Sequence, residues 1–340
     1  MESSHTVNLS NDDAFVAFSN PNEDDFLLHL CDHVFAGLSD KNLNEYDFVS
    51  MPFVSDPLLN SFFKYKETFI NQDFSFFSKH TKVFNITSKT DYFSDVTELV
   101  NAFKVSELNK AVYSRKIKIE NPSLDMGEVF RKLRLKYPKA FTFIYNIPKI
   151  GCWVGATPEL LLKKEGDSLI TVALAGTQKL FKGVDNVIWG QKEVDEQAYI
   201  KSFVKNILTE QGLSFNESAT STKKAGDVCH IFTEFKLDIP NSIAKLIKDL
   251  HPGPAISGSP KEMAIECILA LEKHKRSFYT GFLGEIKEEK LNLYINLRSM
   301  EVLEQCFLLY VGGGITVDSR VEDEWTETEL KSNTMSSVIK

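Results

Sequence analysis

The segment LNLYINLR, residues 291–298, alternates apolar and polar side chains without a break. Successive side chains of a β-strand point to opposite faces of a sheet, so this pattern predicts a strand with one apolar and one polar face. The apolar face holds Leu291, Leu293, Ile295 and Leu297, and the polar face holds Asn292, Tyr294, Asn296 and Arg298. A strand of this kind needs a partner, and CFLLYVGGGITVDS, residues 306–319, is predicted to form a hairpin with it.

Further strands and three helices are predicted around this segment. LNKAVYSR (108–115) and FTFIYN (141–146) indicate strands, and ELLLKKEGDSLITVALAGT (159–177) indicates a hairpin that turns at EGDS. Apolar residues at helical spacing predict one helix over 191–211, one over 260–274 with Pro260 near its start, and one containing EDEWTETELK, residues 322–331. Hairpin-linked strands with helices packed outside them indicate an α+β fold.

The composition restricts the classes of partner. The 340 residues include 39 Lys and Arg against 47 Asp and Glu, which gives a formal net charge of −8. Because phosphate binding needs a basic surface, this excess of acid argues against nucleic acid as a partner. A small anionic ligand stays possible, since a local group of cations can oppose the global charge.

The cysteines and the N-terminal residues indicate a soluble cytoplasmic protein. Five cysteines without a CxxC pair are typical of free thiols in a reducing compartment. The opening residues, MESSHTVNLSNDD, are polar and acidic, unlike a signal peptide. No apolar run approaches the ~20 residues that a membrane-spanning helix needs, so we expect no membrane partner.

Two pairs of glutamates stand three residues apart on predicted helices. Glu193 and Glu196 lie on the line of the apolar stripe of one helix, and Glu324 and Glu327 share a face with Lys331 on another. Four carboxylates directed inward suit a hard cation such as Mg²⁺. The alternative is that they are solvated glutamates favoured near helix starts by the helix dipole, and spacing alone leaves both interpretations open.

Three other features are candidates for anion binding, each with a structural alternative. Arg298 ends the polar face of its strand and can grip a carboxylate or form a surface ion pair. The glycines at 312–314 can present backbone N–H groups to an anion or form a bulge. His251 precedes a proline and is expected in a loop, where it is either structural or a ligand contact. His230 is assigned no role.

Nine segments occur in the order found in chorismate-utilising enzymes. They are LNKAVYSR, GATPELLL, ALAGT, KEVDEQ, LHPGPAISGSPKE, FYTGFLGEI, LRSMEV, LYVGGGITVDS and EDEWTETELK. The chain therefore resembles that family, which includes isochorismate, salicylate, anthranilate and aminodeoxychorismate synthases, and it is most similar to isochorismate synthases. The resemblance implies large, mostly antiparallel sheets flanked by helices. It covers residues 101–340 as the chorismate-binding catalytic region and leaves 1–100 as an N-terminal part of the same fold.

The resemblance also implies a role for individual residues. Lys110 matches the lysine that activates water, and Glu159 matches the general acid. Glu196 and Glu327 match the Mg²⁺ ligands, with Glu193 and Glu324 beside them. The positions that match contacts with the two substrate carboxylates are Gly176, Thr177, His251, Tyr279, Arg298, Gly312, Gly314 and Lys331. Three positions depart from the family pattern, namely Val172 for a glutamate, Gln197 for a histidine and Gly253 for a threonine.

The implied activity is the Mg²⁺-dependent isomerisation of chorismate to isochorismate by a monomeric enzyme of menaquinone or siderophore biosynthesis. Lys110 disfavours an aminating synthase, because anthranilate synthases usually lack a lysine at that position. Two alternatives remain open. A salicylate synthase would go on to eliminate pyruvate from isochorismate, and a catalytically idle protein would only bind chorismate.

Overall fold

The computed structural model describes residues 6–179, 187–225, 228–287 and 290–340. Within them, single strands or groups of consecutive strands are separated by single helices. The strands are β1 Val7–Leu9, β2 Phe15–Ser19, β3 Leu27–Phe35, β4 Phe48–Met51, β5 Ser61–Ile70, β6 Phe74–Phe76, β7 Lys110–Glu120, β8 Phe141–Ile147, β9 Gly151–Thr157, β10 Leu160–Glu165, β11 Ser168–Lys179, β12 Phe215–Glu217, β13 Ser221–Ala225, β14 Val228–Asp238, β15 Gly258–Ser259, β16 Phe282–Lys287, β17 Lys290–Ile295, β18 Ser299–Val302 and β19 Cys306–Thr316. The helices are α1 Asp40–Glu45, α2 Lys89–Phe103, α3 Met126–Lys136, α4 Gln191–Glu210, α5 Ile243–Leu250, α6 Lys261–Leu271 and α7 Val321–Ile339.

One large antiparallel sheet dominates the described residues. Its strands follow one another in the order β15-β7-β19-β18-β9-β8-β2-β3-β5-β4-β16-β17-β10-β11-β14, and β12 and β13 both pair with β14. Strands β1 and β6 form a separate parallel pair. The predicted α+β class with large, mostly antiparallel sheets is confirmed.

The first hundred residues contribute strands to this same sheet. Strand β2 pairs with β8, and β4 pairs with β16, so both ends of the N-terminal strand group are bonded to later parts of the chain. The proposed division at residue 100 stays a prediction. None of the helices in the described residues combines the length and the apolar character required to cross a membrane.

The predicted helix over 191–211 is α4, and its apolar stripe faces the sheet. Ile200, Val204 and Leu208 are buried in a core that also contains Ala173 of β11 and Phe235 of β14. The two strands pair along most of their length and present one continuous apolar surface. Because the N-terminal half of α4 continues the line of this stripe, Glu193 and Glu196 lie near the end of β11.

The prediction of a hairpin between 291–298 and 306–319 is wrong. Strand β17 ends at Ile295 and pairs with β16 and β10, whereas β19 forms its hairpin with the short strand β18. The predicted polar face is also buried, since Tyr294 stacks on Phe141 with ring centroids 4.4 Å apart and Asn296 is buried. The alternation did indicate a strand, but it carries no information on which strand lies beside it.

Helix α3 packs closely against β6 at Gly127. A methyl group on Gly127 would lie 1.8 Å from the carbonyl oxygen of Phe74, so Gly127→Ala must push the helix away from the strand. We expect a loss of more than about 2 kcal/mol in the free energy of unfolding, measured by urea denaturation. Gly37→Ala is the matched control, because nothing lies within 4 Å of its added methyl group. Equal effects of the two substitutions would contradict this packing.

Candidate active site

Glu159 lies in the short connection between β9 and β10, held by the end of β17. Its carbonyl oxygen accepts a hydrogen bond of 2.9 Å from the backbone N–H of Ile295. Thr157 donates its hydroxyl to the carbonyl oxygen of Ile295 at 2.6 Å. These two bonds fix the backbone on both sides of residue 158, so the Glu159 side chain leaves a rigid edge of the sheet.

The carboxyl group of Glu159 is poised to titrate near neutral pH. Loss of hydration in the cleft raises its pKa from 4.5 to about 7. The positive charges of Arg298, Lys110 and Lys331 act in the opposite direction, and the negative charge of Glu196 adds to the increase. All four side chains therefore lie within electrostatic reach of Glu159, although they come from different elements of the fold.

An apolar cavity of about 50 Å³ adjoins Glu159. It lies between β10, β11, α4 and the loop that follows α5. Apolar side chains on its wall are Leu160, Leu161, Val172, Ile200, Phe203, Val204, Leu250 and Ile295. Two of the three departures from the family pattern, Val172 and Gly253, line this cavity. A glutamate at 172 would bring a charge to the wall that valine keeps apolar.

The third departure from the family pattern, Gln197, connects α4 to the sheet. The side-chain amide of buried Gln197 donates to the carbonyl oxygen of Ala173 and to the hydroxyl of Thr233, both at 3.1 Å. It thereby connects α4 to β11 and β14 one residue beyond Glu196. The substitution of histidine by glutamine at this position retains a hydrogen-bond donor between helix and sheet.

Lys110 starts β7 and extends towards α4. Its ammonium group donates to Glu196 Oε1 at 2.5 Å, and the lysine side chain is largely buried. A methyl group on Gly314 would lie 2.8 Å from Lys110 Cε, so the glycine leaves the space through which the lysine passes. The strand start, the glycine and the α4 carboxylate thus place Lys110 in the same cleft as Glu159.

Helix α7 brings the second glutamate pair over the glycine segment of β19. Glu324 is buried and accepts the hydroxyl hydrogen of Ser319 at 2.6 Å. Glu327 is half exposed and pairs with Lys331 at 2.6 Å. Lys331 also donates to the carbonyl oxygen of Gly312 at 2.9 Å. A methyl group on Gly313 would lie 3.2 Å from Glu324 Oε2 and 3.9 Å from Glu327 Oε1, so both carboxylates lie above this residue.

Arg298 and Tyr279 also lie within electrostatic reach of Glu159. Arg298 adopts a left-handed backbone conformation with φ of 48° between β17 and β18, and burial lowers the pKa of its guanidinium. Tyr279 is buried, with its hydroxyl 3.3 Å from the position that a methyl group on Gly312 would occupy. Burial raises the pKa of the Tyr279 phenol, so the hydroxyl keeps its proton and serves as a hydrogen-bond donor.

Gly176 and Thr177, two further residues predicted to contact the substrate, lie at the end of β11. Gly176 has a left-handed conformation with φ of 62°, and a methyl group there would lie 2.9 Å from Trp189 and 3.2 Å from Glu193. Thr177 belongs to β11, but its side chain lies outside the described part of the structure. Glu193 therefore packs directly on Gly176, one helical turn before Glu196.

His251 is hydrogen-bonded to the residue that follows Tyr279. Its Nε2 donates to the carbonyl oxygen of Thr280 at 2.9 Å, and its ring packs edge-on against Phe282. Burial lowers its pKa to about 4, and the nearby charge is that of Lys261 on α6. The structure places this histidine as a neutral hydrogen-bond donor that fixes the loop before β16, and its contact with substrate stays a prediction.

Arg276 is a supporting residue that the sequence patterns did not single out. Its buried guanidinium binds the Glu272 carboxylate and donates to the carbonyl oxygen of Ile256 at 3.0 Å and to the Thr280 hydroxyl at 3.2 Å. It also donates to the carbonyl oxygen of Val112. This one side chain links β7 to the segment that carries Tyr279, and the sequence holds no local pattern that reveals such a long-range network.

The glutamate oxygens fit a magnesium ion by their chemistry. Glu196 and Glu327 already hold one cation each, the ammonium groups of Lys110 and Lys331. In the described part of the chain, no cluster of three or more His, Cys, Asp or Glu side chains is arranged to bind a metal. Two carboxylates would leave most coordination positions to water and substrate oxygens, which is typical of Mg²⁺.

Comparisons with known proteins identify the family. The family model described as chorismate binding enzyme matches residues 59–340. The chain belongs to the chorismate-binding enzyme family. The resemblance seen in the nine ordered segments is thereby confirmed. Isochorismate synthase EntC of Escherichia coli K12 is 28% identical over 245 residues, which cover 68% of this chain and 63% of EntC.

Solved structures share the same fold over nearly the whole chain. The structure of the 2,3-dihydroxybenzoate-specific isochorismate synthase DhbC from Bacillus anthracis superposes with a TM-score of 0.79 at 22% identity, covering 97% of this chain and 96% of that one. The menaquinone-specific isochorismate synthase MenF from Escherichia coli gives a TM-score of 0.81 at 16% identity, covering 96% and 89%. The chain spans 63% of the length of EntC in the sequence match.

The raised pKa of Glu159 predicts a pH-dependent stability. The folded protein binds this proton more tightly than the unfolded chain, so stability falls as the pH rises from 4.5 through about 7. Glu159→Gln has no proton to lose, and we expect it to exceed wild type by about 1–3 kcal/mol at pH 8, with little difference at pH 5. Urea unfolding at both pH values measures this. Glu165→Gln, an exposed site on the neighbouring hairpin, is the control and should show no such change between the two pH values.

Proposed function

We propose that this protein is an isochorismate synthase that isomerises chorismate to isochorismate. The observation that carries the proposal is the convergence of Glu159, whose pKa is about 7, and the amine of Lys110 on one cleft. Acid–base chemistry at neutral pH needs a carboxyl group that still holds its proton, which an exposed glutamate does not. EntC, DhbC and MenF, which share the fold or the sequence pattern, all carry the name isochorismate synthase.

The reaction moves a hydroxyl group from C4 of the ring to C2. Water adds at C2, the double bonds shift, and the C4 hydroxyl leaves as water, so the product has the same composition as chorismate. One proton must be removed from the attacking water and one must be delivered to the leaving oxygen. Two groups with opposite roles are therefore sufficient, and no redox partner is required.

Glu159 is the proton donor and Lys110 is the proton acceptor in this proposal. Glu159 lies beside the apolar cavity, and its raised pKa lets the carboxyl group hold the proton that the departing C4 hydroxyl takes. Lys110 enters from β7, held at the rim of the cleft by Glu196. Only the neutral amine can take a proton from water, so Lys110 must release its proton to act as the base.

The cationic and hydroxyl groups of the cleft bind the two carboxylates of chorismate. Arg298 offers a planar set of donors, and Tyr279 offers a hydroxyl that stays protonated. Lys331 already donates to the carbonyl oxygen of Gly312, in the β19 glycine segment that also contains Gly314. Donors fixed before the substrate arrives bind it with little loss of conformational entropy.

Mg²⁺ is the cofactor that we propose for this site. Glu196 and Glu327 would hold it, with Glu193 and Glu324 beside them, and when bound it would withdraw electron density from the ring carboxylate and fix its orientation. We further propose that the enzyme acts in the cytoplasm, in menaquinone or siderophore biosynthesis. The five cysteines, all within the described residues, are free thiols, which supports a reducing compartment.

Incubation with chorismate and Mg²⁺ tests the reaction and the metal together. We expect isochorismate as the product by chromatography and mass spectrometry, loss of turnover with a chelator, and recovery with added Mg²⁺. Glu196→Gln and Glu327→Gln should abolish turnover, because each removes a charged ligand. Glu322→Gln, an exposed position in the first turn of α7, is the matched control and should keep full activity. Salicylate with pyruvate would favour the salicylate synthase alternative, and no conversion would indicate a binding protein.

Substitution of the acid and the base tests the division of roles. Lys110→Met and Glu159→Gln should each lower kcat by about 10²–10⁴-fold with little change in KM. In wild type, kcat/KM should fall as the pH rises above about 7, where Glu159 loses its proton, and Glu159→Gln should lack this decline. Lys118→Met is the control, because this lysine lies on the same strand but is exposed. Near-normal kcat in folded Lys110→Met or Glu159→Gln protein would refute these roles.

A further inference from the structure

A β-bulge interrupts the pairing of β11 with β14 at the edge of the cleft. Ala175 pairs with Ile231 and Gln178 pairs with Cys229, so two residues of β11, Gly176 and Thr177, lie opposite one residue of β14. That single residue is His230, the histidine to which no role had been assigned. A bulge releases backbone groups from the ladder and can redirect them towards a ligand.

The imidazole of His230 forms a hydrogen bond with the Gly176 carbonyl, a backbone group that the bulge releases from the strand pairing. Its Nδ1 lies 2.7 Å from the carbonyl oxygen of Gly176. A carbonyl oxygen only accepts hydrogen bonds, so Nδ1 must carry the hydrogen and donate it. Burial lowers the pKa of His230 and favours the neutral ring, although the bond to Gly176 acts in the opposite direction. The charge of Arg298 also lowers this pKa, which places the guanidinium near this histidine.

The orientation of the next N–H follows from the geometry of the peptide bond. In a trans peptide the C=O and N–H groups point in opposite directions. The Gly176 carbonyl points to the imidazole of His230, so the Thr177 N–H points away from that ring. The charge of Arg298 acts on both Glu159 and His230, so the bulge lies at the edge of the cleft that contains Glu159. The Thr177 N–H is therefore at this edge and points away from the imidazole that holds its peptide.

We propose that His230 is a positioning residue, whose Nδ1–H holds the Gly176–Thr177 peptide so that the Thr177 N–H donates to a carboxylate of the substrate. The inference rests on the proposed function, since it takes chorismate as the ligand. The left-handed conformation of Gly176 and the packing of Trp189 and Glu193 on it leave little room for the peptide to turn by other means. His230 thus acts on the substrate through the backbone, not by proton transfer.

Two substitutions separate the two ring nitrogens. The side-chain amide of asparagine reaches the position of Nδ1, whereas that of glutamine reaches the position of Nε2. His230→Asn should therefore retain the bond to Gly176 and keep KM for chorismate within about 3-fold of wild type. His230→Gln and His230→Leu should raise KM by about 10–100-fold, the range expected for loss of a hydrogen bond to a charged group, with a smaller change in kcat.

The same variants are measured for melting temperature and for chorismate binding by titration calorimetry in the presence of a chelator. A loss of kcat shared by His230→Asn and His230→Gln would show that the imidazole transfers a proton and would overturn the inference. Equal KM in all four proteins would overturn it as well. These outcomes differ from failure of the proposed function, which would appear as no conversion of chorismate by wild type.

The Thr177 amide signal in 15N-labelled protein gives a readout that does not depend on turnover. Addition of chorismate should shift this signal in wild type and in His230→Asn, and should shift it much less in His230→Leu. An unchanged Thr177 signal in wild type at saturating chorismate would overturn the inference even if the protein is active.

Discussion

Eleven consecutive backbone pairs join β7 to β19, and most of the site depends on this pairing. It sets Lys110 opposite Thr316 and the glycines at 312–314 opposite Ser114, Tyr113 and Val112. The same strand locates α7, because Arg115 lies over the Trp325 ring at 3.7 Å and donates to the Thr328 hydroxyl at 2.9 Å. A shift of this register by one residue would turn Lys110 to the other face of the sheet.

The cleft holds charges of both signs in a partly dry environment, and their arrangement explains why the fold tolerates them. Lys110 neutralises Glu196, Lys331 neutralises Glu327, and Glu324 is hydrogen-bonded by Ser319. Glu159 is different, since the neighbouring cations only partly offset its desolvation. Glu159 thus holds its proton to a higher pH than an exposed glutamate does, while Glu196 and Glu327 are ion-paired with lysines, so one cleft contains both an acid and anionic groups.

The order of short segments predicted that Lys110, Arg298 and Lys331 would lie near Glu159, and their charges do act on its pKa. The substrate contacts of the predicted residues stay predictions. The apolar stripe of 191–211 predicted that the side of α4 bearing Glu196 would face the sheet. Strand partners could not be predicted in the same way. The pattern in 291–298 does not distinguish β18 from β17 as the hairpin partner of β19, because alternation reports a face and not a neighbour. His230 and Arg276 were missed for a related reason. Their roles arise from a bulge and from a network across distant strands, neither of which leaves a local signal.

The three glycines of β19 give the cleft a floor made of main chain alone. Such a floor has backbone N–H and C=O groups but no side chains, and a substitution there would fill the space that Lys110 and the Glu324 carboxylate occupy. Residues of the cavity wall beside Glu159, such as Val172 and Gly253, are free of this restriction. A different side chain at those positions can change the shape and polarity of the cavity while the main chain of the floor stays in place.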